Sequence, residues 1–287
     1  MTKARAYYQL LKPGVMYGNV LTGAAGFLLA AAGAVDWWIF VGTIIGMTLV
    51  VGSACALNNY LDRDIDSKMT RTLKRPSVTG EVPGWSIVVY SVVLGVWGTV
   101  ILYLWTNWLV VAIGLLGWMT YVWLYGAWSK RQSIHGTLVG SISGAMPIAG
   151  GYAAVSGQID LGLIMAFLAV FFWQFPEFYS IAIYRRKEYA AAKVPVMSVV
   201  KGVRSSTVQI FIYTILYVLS TLSLTWLGYT GWVYFAVMLG FGLHWIYLGY
   251  QGLSATKPEI WARQMFRYAM INILVLCVMF ALGPLLP

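Results

Sequence analysis

The chain has 287 residues, 60% of them hydrophobic and 10% charged, with a mean hydropathy of +0.75. That is too apolar for a soluble domain and marks a polytopic membrane protein. The net charge of +10 is not a nucleic-acid footprint, because every Lys and Arg falls in segments 1–13, 58–84, 127–136, 184–207 and 252–267, all on one side of the predicted spans.

Apolar windows of about 18–22 residues predict nine helices, near 14–34, 37–57, 85–104, 108–126, 137–155, 159–183, 208–227, 231–251 and 268–286. Continuous apolarity excludes a β-barrel, whose strands alternate over segments of roughly ten residues. The connections near 35–36, 105–107, 156–158 and 228–230 hold no Lys or Arg. The positive-inside rule therefore expects the N-terminus in the cytoplasm and the C-terminus outside. The basic lead runs into the first span without a small-residue cleavage site and is expected as an uncleaved helix. Cys55 and Cys277 lie inside spans, so no extracellular disulfide framework is expected.

Lys12 and Pro13 mark where the chain enters the membrane. Gly42 and Gly46 form a GxxxG pair that lets helices approach closely, and Trp37 with Trp38 falls where an outer aromatic belt belongs. These read as scaffold.

Residues 58–76, NNYLDRDIDSKMTRTLKRP, hold three of the nine acidic residues and five of the nineteen basic ones. Asn58, Asp62 and Asp66 recur every four residues, so on a helix each is turned ~40° from the last and raised about 6 Å, on one face. A row of hard oxygens suits Mg²⁺, which prefers carboxylates and is usually shared with substrate phosphates. Lys68, Arg71, Lys74 and Arg75 supply cations for those phosphates. A plain cytoplasmic loop would explain the cations, but Asp and Glu contribute little to topology, so it does not explain the acids. The segment reads as a Mg²⁺–diphosphate site at the mouth of a membrane cavity. SVTGEVPG at 77–84 follows as an irregular lid.

In span four, Trp118, Tyr121 and Trp123 read as packing or interface residues. In the next inside connection Lys130 and Arg131 are either topology determinants or further site cations. His135 is either a solvated loop residue or, near a cavity, a base or acceptor contact. Gly140, Gly144, Pro147, Gly150 and Gly151 predict tight packing or a kink in span five. Glu177 follows Pro176 about two turns inside the membrane, and such a carboxylate is a functional-site hypothesis by default, with a structural ion pair as the alternative. Tyr184, Arg185, Arg186, Lys187, Glu188 and Tyr189 then form a second charged motif. Two such motifs four helices apart suggest a single domain, 1–287, of two pseudo-repeats (14–126 and 137–251) and a ninth helix, sharing one cavity. His244 is expected in a helix interior, and ATKPEIWARQMFR as an amphipathic interfacial loop.

The string N-x-Y-x-D-R-D-I-D-x-x-M-x-R-T-x-x-R-P is matched at Asn58, Tyr60, Asp62, Arg63, Asp64, Ile65, Asp66, Met69, Arg71, Thr72, Arg75 and Pro76. With nine helices and a second polar motif after span six, it resembles the UbiA superfamily of intramembrane prenyltransferases, and within it the protoheme IX farnesyltransferases, or haem O synthases. GTLVGSISGAMPIAGGYAA at 136–154 and FWQFPEFYSIAIYRRKEYAAAKVPVMSVVKG at 172–202 look like the same branch. The chain departs from that branch at Glu177, where a histidine is usual, and near His135, where an asparagine is usual. A third departure is the run Pro195-Val196-Met197-Ser198, where the branch has Pro-Met-Leu-Pro. The diphosphate motif is intact.

The resemblance implies an all-α bundle around a central cavity open to the cytoplasmic side and laterally to lipid, in the cell inner membrane. Asn58, Asp62 and Asp66 would hold Mg²⁺, with Glu188 contributing. Arg71, Lys74, Arg75, Lys130, Arg131 and Arg186 would bind diphosphate. His135, Glu177 and Tyr184 would lie on the acceptor side, and the choice of which orients porphyrin or water stays open. Farnesyl diphosphate and haem B would be the substrates and haem O the product, with a haem A synthase or oxidase-assembly protein as partner. A prenyltransferase for a quinone precursor or other aromatic acceptor is the rival within the superfamily. A membrane transporter is the rival outside it, although its polar groups belong near the midplane and here they cluster at the inner ends of spans.

Overall fold

The computed structural model describes residues 2–287. Among them nine helices are long and apolar enough to cross a membrane: α1 (Pro13–Ala31), α2 (Trp37–Leu61), α3 (Gly84–Trp105), α4 (Trp108–Gln132), α5 (Gly136–Ser156), α6 (Leu161–Tyr184), α7 (Gly202–Trp226), α8 (Trp232–Ser254) and α9 (Pro258–Leu282). Short helices at Lys3–Leu10, Arg63–Asp66, Pro76–Thr79, Arg186–Ala191 and Met197–Val200 lie in the segments that carry Lys and Arg, and the described residues contain no strand. The all-α expectation holds.

Two boundaries differ from expectation. α2 runs past residue 57 to Leu61, so Asn58 is still helical. α9 begins at Pro258, not near 268. Proline suits the first helical position because its missing N–H would be unpaired there anyway, and the buried Trp261 donates Nε1–H to the Leu248 carbonyl at 2.8 Å. The stretch expected as an interfacial loop is therefore the first turns of α9, with Arg263 and Arg267 on its exposed side.

Lipid tails are as apolar as the helices, so helix association depends on close packing through small residues. A Cβ on Gly151 would fall 1.8 Å from the Gly23 carbonyl oxygen, which brings α5 against α1. Gly46 and Gly98 face each other across α2 and α3, where a Cβ on either would come within 3.1 Å of the other's carbonyl oxygen. Trp173 Nε1 donates to the Ala269 carbonyl at 2.8 Å and ties α6 to α9. At the helix ends away from the Lys and Arg segments, Trp37, Trp38, Trp105, Trp108, Trp226 and Trp232 are exposed, the arrangement of an interfacial aromatic belt. His244 lies on the exposed side of α8 with its ring 4.7 Å from that of Tyr268.

The segment expected as a lid is pinned. Pro76–Thr79 forms a turn of helix ending at Gly80 (φ 78), and Val82 is buried with Ala6, Leu10, Ala56 and Ile87. Asn59 Nδ2 donates to the Leu10 carbonyl at 2.7 Å and anchors the lead helix to α2.

Candidate active site

The site starts from a helix end that breaks without losing its spacing. Asp62 leaves helical geometry (φ −85, ψ 3). Yet its N–H still donates to the Asn58 carbonyl at 2.9 Å, and the Asp66 N–H donates to the Asp62 carbonyl at 2.8 Å. Asn58, Asp62 and Asp66 therefore stay in line, with only 1%, 1% and 3% of their surfaces exposed. All three line one cavity of about 790 Å³, within the range of ~300–1,000 Å³ typical of ligand sites.

The cavity continues along α2 from Asp62 to Met47, a depth of ~22 Å at the helical rise. Its mouth carries Lys12, Arg71, Arg75 and Lys130, while its depth is apolar, with Met47, Val50, Leu102, Val110 and Ile113. Val15, Tyr17 and Leu21 of α1 and Leu274 of α9 line it and are also exposed, so it opens sideways between those helices. Tyr189, Val194 and Val196, from the second charged motif and the segment after it, pack with Ile65 and Met69 over the mouth.

The acidic row is paired with cations. Lys130 Nζ donates to Asp62 Oδ2 at 2.6 Å, and Arg75 Nη1 to Asp66 Oδ2 at 2.5 Å. Asn58 Oδ1 accepts from Lys12 Nζ and from Tyr121 OH. Burial, reinforced by the Arg75 charge, brings the Lys12 amine down to about 8. Lys12 is the functional candidate that sequence reasoning missed. It reads as a membrane-boundary lysine, and only the turn before Pro13, with Lys12 at φ 50, swings it onto Asn58.

Arg131 lies outside the cavity. It forms a two-pronged contact with Asp64, 2.7 Å on each prong, and also donates to the Leu61 carbonyl at 2.7 Å. Its guanidinium holds the Asp64 carboxyl well below the usual carboxylate range, at about 2. A depressed folded value means the contact is formed at neutral pH and is lost only as pH falls through about 2.

Of the other expected residues, Arg71 and Glu177 line the cavity, whereas Lys74, His135 and Arg186 are exposed and outside it. Tyr184 turns away, packing on Phe266 with the Arg263 guanidinium 4.8 Å from its ring centre. Glu188 accepts from Arg185 at 2.9 Å through one oxygen, while the other, Oε2, is buried without a partner. Trp118 and Tyr121 line the cavity rather than serving only as packing, and Trp123 is exposed.

Among the described residues no group of three or more His, Cys, Asp and Glu stands together as a metal cluster. The donor chemistry still fits a hydrated Mg²⁺, which takes one or two carboxylates, several waters and substrate phosphates. Asp62 Oδ1 is buried with no hydrogen-bond partner, a state that costs roughly 1–3 kcal/mol unless a ligand satisfies it.

Around the row, α4 is π-helical over Thr120–Ser129. Such turns are rare and concentrate at functional sites. This one stacks Tyr121 on Tyr125, ring centres 5.8 Å apart, on the cavity side. Gly126 leaves room for Asn58, since a Cβ there would lie 2.8 Å from Asn58 Nδ2. Gly126→Ala is expected to displace Asn58 and lower turnover about 10-fold, with a change in stability of no more than about 1 kcal/mol, because alanine favours helix. Steady-state rates and melting in detergent check this, and unchanged turnover would show that the contact yields.

Residues 19–271 match the UbiA prenyltransferase family. The chain is 44% identical over 280 residues to protoheme IX farnesyltransferase 2 of Chromobacterium violaceum, across 97% of this chain and 93% of that protein. Its fold is similar to that of a digeranylgeranylglyceryl phosphate synthase, with a TM-score of 0.83 and 16% identity over 99% of each chain. It is also similar to a UbiA homolog from Archaeoglobus fulgidus bound to GPP and Mg²⁺, with a TM-score of 0.72 and 13% identity over 96% of this chain and 99% of that one. The chain belongs to the UbiA prenyltransferase family and is an integral membrane prenyltransferase.

Proposed function

We propose that this protein transfers the farnesyl group of farnesyl diphosphate to a vinyl group of haem B, with addition of water, giving haem O and diphosphate. The observation that carries the reading is a single cavity that joins a row of hard oxygens and four cations at its inner mouth to a long apolar shaft. The 44% identity to a named protoheme IX farnesyltransferase supports the acceptor.

Asn58, Asp62 and Asp66 would hold Mg²⁺, which when bound supplies a Lewis acid for the diphosphate oxygens. Lys12, Arg71, Arg75 and Lys130 neutralise the charge that grows on diphosphate as the allylic C–O bond breaks. Lys130 and Arg75 rest on Asp62 and Asp66 beforehand, so the positive charge is already in place when the donor arrives. Glu188 would join this set through Oε2, the oxygen that Arg185 does not hold. Arg131 holds the motif through Asp64, and Lys74 and Arg186 contribute only to the field at the mouth. Trp118, Tyr121 and Tyr125 present aromatic surface to the allylic cation. The apolar shaft takes the tail and keeps water from that cation.

Haem B enters from the bilayer through the gap between α1 and α9. The Lys and Arg of the loops on one side support an orientation with the N-terminus cytoplasmic, and the resemblance to bacterial farnesyltransferases supports the cell inner membrane as the location. A haem A synthase or another oxidase-assembly protein is the class of partner that would receive the product.

Purified protein given haem B, farnesyl diphosphate and Mg²⁺ should form haem O and diphosphate in equal amounts. A chelator should stop both and added Mg²⁺ restore both. Diphosphate release that survives chelation would remove the metal from the account, and release without modified haem would remove the acceptor.

A further inference from the structure

We infer that Glu177 is the group that accepts the proton of the water that completes the reaction. The inference rests on the haem-farnesylating reading and names a residue within it.

Three residues were open for the acceptor side, and their placement separates them. His135 is exposed at the start of α5 and Tyr184 packs against Phe266, while Glu177 lines the cavity. Three carboxylate residues line that cavity, and two of them, Asp62 and Asp66, are paired with cations. Glu177 has neither an ion pair nor a hydrogen bond among the described residues.

A carboxylate inside a membrane helix is costly, and such residues mark substrate or proton paths. Glu177 lies on the cavity stripe of α6, one turn from Trp173 and one turn from Ile181, and Met270 and Ile273 of α9 line the same cavity. None of these can take a proton. Gln174, also on the stripe, uses its amide to hold the Ser141 and Val170 carbonyls. Seven residues separate Glu177 from the inner end of α6 at Tyr184, ~10 Å along the axis. That sets it within the span, away from the charged segment that follows Tyr184.

The step balances. The terminal vinyl carbon of haem bonds to C1 of the farnesyl group as the C1–O bond breaks, and diphosphate leaves with the electron pair. The positive charge now sits on the vinyl carbon next to the porphyrin ring. Water oxygen bonds to that carbon, and one water proton passes to the Glu177 carboxylate, which later releases it to solvent. Without the acceptor, the cation loses a proton from its neighbouring carbon to bulk water and an alkene forms instead of the alcohol.

The test compares purified wild type with Glu177→Gln and Glu177→Asp, measuring diphosphate release and the mass of the haem products. In Glu177→Gln, diphosphate release should stay within a few-fold of wild type while the product shifts from haem O to the alkene, one water lighter. Glu177→Asp should restore part of the alcohol. Haem O in wild-type proportion from Glu177→Gln would overturn the inference and leave the farnesylation reading intact. Equal loss of diphosphate release and haem product in folded Glu177→Gln and Glu177→Asp would also overturn it, by placing the residue in an earlier step. If wild type itself yields no prenylated haem, the reading fails and the inference with it.

Discussion

Asp62→Asn is expected to lower haem farnesylation by about 10³-fold while the protein stays folded. The side chain is 1% exposed, one oxygen is held by Lys130 at 2.6 Å, and the other accepts no hydrogen bond, with the Arg131 guanidinium 4.0 Å away. Asparagine keeps the shape and one acceptor for Lys130 but removes the negative charge. Losing one preorganised charge at the point where transition-state charge develops costs roughly 10²–10³ in rate, and a metal ligand belongs at the upper end. Lys130 stays near solvent at 18% side-chain exposure, so it does not become a fully buried orphan charge. Initial rates with melting in detergent test this, and activity within three-fold of wild type would show that Asp62 serves only the ion pair.

The second large effect concerns the shaft. Gly150 lines its deep half, and a Cβ there would meet only Ile113 at 3.7 Å and Met47 at 3.8 Å, ordinary contact. A larger side chain therefore has no backbone to push against and must project into the cavity. Gly150 lies ~21 Å along α5 from its inner end, where the last isoprene unit of a farnesyl tail would rest. Excluding that unit at ~0.8 kcal/mol per methylene removes roughly 3–4 kcal/mol. Gly150→Phe should accordingly lower kcat/KM for farnesyl diphosphate by at least about 10²-fold and leave the shorter geranyl diphosphate nearly unaffected. Parallel rates with both donors decide it, and equal loss for both would mean that the tail does not run down this shaft.

The membrane architecture was legible because its two signals, hydropathy and the placement of Lys and Arg, act over whole segments. The spacing of Asn58, Asp62 and Asp66 was legible because it is local, and it survives even the break at Asp62 through the i to i+4 hydrogen bonds. What stayed hidden depends on distant packing or on fine geometry. Lys12 reaches Asn58 across two helices. The π-helical turn that aims Tyr121 and Tyr125 leaves no mark on hydropathy. α9 starts early because a hydropathy window stops at Arg263 and Arg267, whereas a helix can carry such residues on its exposed side. Tyr184 looked like an acceptor contact by its place in the motif, but at the last residue of α6 its direction is set by Phe266 and Arg263.

The measurement that tests the central claim most directly is mass spectrometry of haems extracted from a host lacking its own haem O synthase, expressing either this chain or its Asp62→Ala form. Haem O should appear with the intact chain and not with Asp62→Ala. Haem B left unmodified by intact, folded protein would contradict the account, and prenylated quinone precursors or other aromatics in the same extract would identify the acceptor in its place.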